Sequence, residues 1–277
     1  MLHPALLKSS HLINVGDISG AEKALVSISD TEGDHALVSV LDDMAPKDLL
    51  AVIREFDASK ESVINLVITP AQFARAVVLE AQYKDESHVR LQGMFNAVVH
   101  RDPESAYDFL EAITEVDGGI NAISDYFTNH LEGLIQFTIS GNFSNENYRG
   151  SHFEPDSAEW FLEKIEQIHE VFGSSESESS TTSIADDHWS DANSSDGPIF
   201  RAEITDGDWV KSKKSKPISR DEAADGDWKE TAWILRYELH EAFQEVVGTL
   251  CNRKKSSFDL SVNTSESMPV IQEESAI

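Results

Sequence analysis

The sequence predicts an all-α protein: an irregular array of short antiparallel helices, α-solenoid-like, carrying a disordered acidic insert. Three observations predict it. Apolar residues recur at spacings of three and four from Ser19 to Leu134, the period of a helix with one buried face. The chain repeats one phrase, Ala24 to Asp30 and Ala36 to Asp42, with five of seven positions identical. Pro46, Pro70 and Pro103 each fall where a helix should begin, a place where the missing N–H of proline costs nothing.

Taken in order, residues 1–18 form a lead-in whose Leu2, Leu6, Leu7, Leu12, Ile13 and Val15 can pack as a first turn or strap. Ser19 with Glu22 has the spacing of a capping box, and Ala21, Leu25 and Ile28 follow on one face. Gly33 breaks that helix, and Leu37, Val40 and Leu41 make the next stripe. Pro46 leads Leu49, Leu50, Ile53 and Phe56. Ser59 caps a short segment through Val67. Thr69-Pro70 opens a helix bearing Phe73, Ala76, Val77 and Ala81. Val89, Met94, Phe95 and Val98 form one segment, and Asp102-Pro103 opens another through Ala106, Phe109, Leu110 and Ile113. Short connections between such helices favour antiparallel neighbours.

Gly118-Gly119 marks a boundary. One longer amphipathic helix is expected after it, from Ile120 through Ile135, with residues 137–139 leaving it in extended form and a loop over 140–154. Pro155 opens a helix whose seam is Ala158, Phe161, Ile165, Ile168 and Phe172, with Gly173 as its cap. Thr231 to Leu250 is the last expected helix, with Leu235, Leu239, Ala242, Val246 and Leu250 as its stripe. Arg253, Lys254 and Lys255 suit its C-terminus, where cations meet the helix dipole. The expected organisation is a helical domain over 1–173, a flexible insert over 174–228, a C-terminal helix over 229–255 that packs on the array, and a disordered tail over 256–277.

The insert is rich in Ser, Asp and Glu and poor in aliphatic residues, so it lacks the apolar surface that would offset its ordering. Within it, Asp206-Gly207-Asp208-Trp209 is repeated as Asp225-Gly226-Asp227-Trp228, with Asp187-His188-Trp189 as a looser third copy. Acid-flanked tryptophans in such a stretch are a common form of short binding motif. They can equally dock back on their own domain. The candidate partner-binding residues are therefore Trp189, Asp206, Asp208, Trp209, Asp225, Asp227 and Trp228, with Trp160 and Glu163 on the helix after Pro155.

Fifty acidic residues against 22 basic ones give a net charge of −28, of which −18 lies between residues 101 and 200. Such a field repels phosphate backbones and anionic lipid, so direct nucleic-acid or membrane binding is not expected. It favours a partner protein with a basic patch. Cys251 is the single cysteine, which allows no internal disulfide. The N-terminus has no basic start ahead of a long apolar run, and the expected location is cytoplasmic.

No motif carries recognisable chemistry. Cys251 and His240 are eleven residues apart, about 16 Å along one helix, too far to act as a nucleophile and base. His169-Glu170 and His240-Glu241 do not continue to the second histidine of a zinc-protease motif. Asp191, Asn193, Asp196, Gly197 and Glu203 miss calcium-loop spacing. No catalytic residue, metal or cofactor is expected. The lysines between Lys211 and Lys216 are flanked by acids and balance them.

The last stretch carries Ser261, Thr264, Ser265 and Ser267, then Glu273-Glu274, and ends on Ile277. It resembles the C-terminal translocation signals of bacterial type IVB (Dot/Icm-type) secretion substrates, which are polar tails with a short glutamate cluster and an apolar end. The resemblance covers under a tenth of the chain. It implies an effector, or a regulator of one, delivered into a host cell. The function expected from the sequence is a non-enzymatic adaptor, chaperone or regulator that binds a protein through an acidic helical surface. One alternative is an acidic nucleic-acid mimic that blocks a DNA- or RNA-binding protein. Another is an enzyme whose site draws on His100, His130, His152 or His169 and distant acids.

Overall fold

A computed structural model describes residues 2–56, 62–83, 88–143, 157–176, 217–223 and 228–266. Among the described residues every regular element is helical, and there is no strand. The all-α expectation holds.

Local chemistry sets most of the helix starts. Helix α1 (Pro4–Asn14) has proline in its first turn, and the His3 ring accepts the Ala5 N–H. Helix α2 (Ile18–Glu32) begins two residues earlier than expected. Asp17, not Ser19, is its cap, with the carboxylate accepting the Gly20 N–H at 2.9 Å. Gly33 (φ +89°) ends α2 and leads directly into α3 (Asp34–Asp42), a backbone turn that favours glycine. The repeated phrase keeps its register in space: Leu25 and Leu37 are fully buried, and Ile28 and Val40, one turn later, are buried as well.

Proline opens α4 (Pro46–Glu55) and α6 (Pro70–Gln82) as expected. At α6 the Thr69 hydroxyl and the Gln72 side chain form a full capping box. Ser62 caps α5 (Val63–Val67); Ser59, expected in that role, lies outside the described residues. Helix α7 (Val89–Val98) follows. Pro103 departs from the pattern: residues 102–105 form a turn in which the Asp102 carboxylate accepts the Glu104 N–H, and α8 (Ala106–Glu115) starts after it.

The helix expected from Ile120 to Ile135 is broken. Helix α9 (Gly119–Phe127) passes through a 3-10 turn at Thr128–His130 into α10 (Leu131–Ser140). Residues 137–139 belong to α10 and are not extended, and Gly141 at φ +74° ends it. Gly119 must stay glycine because a Cβ there would run into the Ile113 carbonyl. Helix α11 (Ala158–Glu176) continues past Gly173, which does not cap it. A short α12 (Arg220–Ala223) precedes α13 (Trp228–Glu238) and α14 (His240–Glu266). The last helix is therefore two helices. The Leu239 N–H reaches back to both Leu235 and Ile234, the ladder slips, and the chain restarts at His240. The backbone expected to be loose from Ser256 onward is helical to Glu266.

Helix α6 is the hub. It packs against α4, α7, α8 and α9, while α14 covers α9 and α11 lies against α10 and α14. Helix α2 is a second centre, packing against α1, α3, α4 and α5, so contacts between successive helices and contacts between distant ones are mixed. Phe73 of α6 meets Phe95 and Phe109 edge-on at 6.1 and 5.6 Å, and Phe95 stacks on Tyr126 at 4.3 Å. A second aromatic group joins the C-terminal helices: Phe137 contacts Phe143, Tyr237 and Phe243, and Phe172 meets Phe243. The seam of α11 closes this core, with Phe161 and Ile168 buried. Between α4 and α6, Arg54 and Glu80 form a two-point ion pair at 2.7 and 3.1 Å, with Glu80 buried.

Candidate functional site: an aromatic cleft at the C-terminal helices

Of the residues singled out in the sequence, Trp189, Asp206, Asp208, Trp209, Asp225 and Asp227 lie outside the described residues, as do Glu273, Glu274 and Ile277. Trp160, Glu163 and Trp228 are placed, and the structure brings the two tryptophans to the walls of one cleft of about 610 Å³. Four pieces build it: the 3-10 turn with the first turn of α10, the start of α11, the first residue of α13, and the second half of α14.

Each wall has a local cause. The Ser157 hydroxyl accepts the Trp160 N–H at 3.1 Å, fixing the first turn of α11 so that Trp160 and Phe161 both turn inward. Trp228 lies flat on the His130 ring at 4.7 Å, and Phe143 meets its edge at 5.0 Å. Gly133 makes that seat possible, because a Cβ there would stand 2.6 Å from the indole. On the opposite wall Phe258 of α14 packs on Phe161 at 5.7 Å.

Charge enters only at the margin. Glu132 is exposed at the mouth. The Arg253 guanidinium is held by Asp125 at 2.6 Å and by Asn121 at 3.0 Å, and the Lys254 ammonium lies 5.2 Å over the Phe258 ring. Glu163 does not line the cleft. It accepts from Gln167 at 3.1 Å and from Lys164 at 3.4 Å on its own helix.

Sequence reading missed Gly133 and Phe258, and it named His130 only for a distant enzyme site and Lys254 only as a helix-terminal cation. Phe258 was within reach, because Leu250, Lys254 and Phe258 continue the helical stripe at steps of four. The serines between them obscured it.

The four histidines proposed as distant site components separate. His152 lies outside the described residues, His169 is exposed on α11, and His130 packs on Trp228. His100 does meet an acid. Its Nδ1 is 3.2 Å from Glu230 Oε2, and its Nε2 is 2.9 Å from the Thr231 hydroxyl. Imidazole between a carboxylate and a hydroxyl is the arrangement of a nucleophilic triad. Here the hydroxyl has no approach. Thr231 is 0% exposed and the His100 side chain 2%. The other Glu230 oxygen is taken by Arg220, which also donates to the Pro103 carbonyl at 2.6 Å. The group acts as a polar staple that ties the start of α13 to the end of α7, more than a hundred residues away.

Cys251 is buried, and desolvation pushes its thiol up to about 11. Burial likewise lowers the Arg236 guanidinium from its ordinary value, and it meets the Phe137 carbonyl, the Phe137 ring at 4.8 Å and the Tyr237 ring at 5.5 Å. Among the described residues no group of three or more His, Cys, Asp or Glu side chains is placed to hold a metal ion. No described helix is long and apolar enough to cross a membrane. Comparison with protein-family models, with curated proteins and with solved structures returns no match for this chain.

Proposed function

We propose that this chain is a non-enzymatic protein-interaction module, an adaptor, chaperone or regulator, that receives a partner protein in the aromatic cleft. The observation that carries the reading is the convergence of Trp160, Phe161, Trp228 and Phe258 on one cleft of about 610 Å³. Binding pockets fall in roughly the 300–1,000 Å³ range and are lined by apolar and aromatic groups with a few polar ones. Protein interfaces draw most of their energy from aromatic anchors of this kind. The net charge of −28 favours a partner whose surface is basic and accelerates its approach.

The test is affinity capture with the full chain, run beside Ser257→Trp. Ser257 is exposed and lines the cleft, so an indole there fills the space without disturbing the core. The reading predicts a partner that is retained by the wild-type chain, released by salt, and lost with Ser257→Trp. A partner held equally by both chains would place the interaction elsewhere.

A further inference from the structure

Two of the five tryptophans in the chain close the same tetrapeptide, Asp206-Gly207-Asp208-Trp209 and Asp225-Gly226-Asp227-Trp228. The second copy puts its ring in the cleft. The Trp228 indole lies on His130 at 4.7 Å, over Gly133, where a side chain would block it. The cleft continues past that ring to Phe161 and Phe258, and its volume of about 610 Å³ leaves room for a second indole.

The lining suits a ring more than a charge. Glu132, Arg253 and Lys254 carry the formal charges on it, and Arg253 is held by Asp125, so neither sign dominates. Trp160, Phe161, Trp228 and Phe258 offer ring faces and edges instead, which other aromatic side chains meet at centroid separations of about 4.5–7 Å.

The tether is long enough to bring the first copy to the same place. Ile218 is fixed at the far end of α10: its N–H donates to the Gly141 carbonyl at 3.2 Å, and its carbonyl accepts the Trp233 indole N–H at 3.0 Å. Gly133, which lines the cleft, lies eight residues back along α10, about 12 Å away by the helical rise of ~1.5 Å per residue. From Ile218 the chain runs ten residues forward to Trp228, which is in the cleft. Trp209 stands nine residues before Ile218, and nine extended residues span up to about 30 Å. One anchor thus holds both tryptophans within range of one cleft.

We infer that the cleft has a ligand within its own chain, the segment 206–209, with Trp209 beside Trp228 and against the Phe161–Phe258 wall. Those four residues lie outside the described ones, so the repeat, the ring-lined space and the tether length carry the assignment. A partner protein that docks in the cleft, as proposed above, must displace Trp209 and therefore competes with a tethered ligand.

The experiment is fluorescence polarisation with a dye-labelled peptide of residues 203–212, and with the same peptide carrying alanine in place of Trp209. Each is titrated with the full chain and with full-length Trp209→Ala. Trp209→Ala should bind the tryptophan peptide about tenfold more tightly than the wild-type chain does, because it has lost a competitor tethered at an effective concentration on the order of mM. The alanine peptide should bind Trp209→Ala at least tenfold more weakly than the tryptophan peptide. Ser257→Trp, added to Trp209→Ala, should abolish peptide binding. A second measurement keeps a ring at the position: a photo-crosslinking phenylalanine analogue at position 209 of the full chain should form intrachain crosslinks to residues that line the cleft.

Equal affinity of the tryptophan peptide for both chains overturns the inference. So does failure of Trp209→Ala to bind it, equal binding of the alanine peptide, binding that survives Ser257→Trp, or crosslinks from position 209 that avoid the cleft. Crosslinks between molecules, with dimers in sedimentation that Trp209→Ala dissolves, would give the seat to a second copy and overturn the tethered assignment. The outcome is separable from the broader reading. A partner captured through the cleft equally well by the wild-type chain and by Trp209→Ala leaves the interaction module standing and removes the internal ligand. Peptide binding with the expected pattern and no captured partner does the reverse.

Discussion

Gly133 shows how one residue can set a site. Its missing Cβ lets the Trp228 indole lie on His130, and that wall gives the cleft its shape. Gly133→Val should push Trp228 off its seat while the core behind stays packed. The expected readout is a red-shifted tryptophan emission with little change in far-UV circular dichroism; unchanged emission would show that the wall does not depend on Gly133. Glu230 is the residue on which the polar staple turns, since His100 and Arg220 both bond to it in a buried setting. Glu230→Ala should destabilise the chain by about 1–3 kcal/mol in urea unfolding, the usual cost of leaving buried hydrogen-bonding groups without their partner. A loss below about 1 kcal/mol would mark the network as dispensable. Cys251 makes a third prediction. With its thiol at about 11, about one in 10⁴ is ionised at pH 7, so alkylation by iodoacetamide should be very slow in the native protein. The rate should rise about tenfold per pH unit up to that value, and unfolding should release it at neutral pH. Rapid alkylation of the native chain at pH 7 would contradict the buried placement.

At the scale of elements, the helices most legible in the sequence were those whose ends are written in local chemistry. Thr69, Pro70 and Gln72 specify a start with no help from the rest of the fold, and α6 begins there. Gly33 likewise ends α2 where the sequence says. Pro103 misled because Asp102 satisfied a backbone N–H inside a turn instead of at a helix start. The breaks at Thr128–His130 and Leu239 are invisible to periodicity. Apolar spacing continues through both, and tertiary packing decides where the ladder slips. The same limit hid Ser257 and Phe258 of the cleft, because α14 extends into a serine-rich stretch that reads as tail. Its value can be measured. Truncation after Asn252 removes Lys254 and Phe258, so the Phe161 end of α11 loses its cover. Amide exchange along α11 should then speed up by an order of magnitude or more, while α6 keeps its protection. Unchanged exchange would mean that the second half of α14 does not hold α11 in place.

For the molecule as a whole, the charge of −28 was plain from composition, and so was the class of partner it favours. The cleft was not. Trp160 and Trp228 are 68 residues apart, and only the packing of α10, α11 and α14 brings them to one cleft. The acid-flanked repeat led to Trp228, but for a different reason: the second copy ends on a residue that becomes a wall of the cleft. The resemblance of the tail to type IVB secretion signals leads us to propose delivery into a host cell. A reporter enzyme fused ahead of the full chain should reach host cytosol through such an apparatus and fail without residues 267–277. Equal delivery of both fusions would remove that proposal.

The central claim is that the cleft is where a partner protein docks. It is tested most directly by placing a photo-crosslinking phenylalanine analogue at Ser257, on the cleft, and separately at Leu7, an exposed residue of α1. The account predicts a single salt-sensitive adduct from position 257 and none from position 7. An adduct formed equally from both positions, or from position 7 alone, would contradict it.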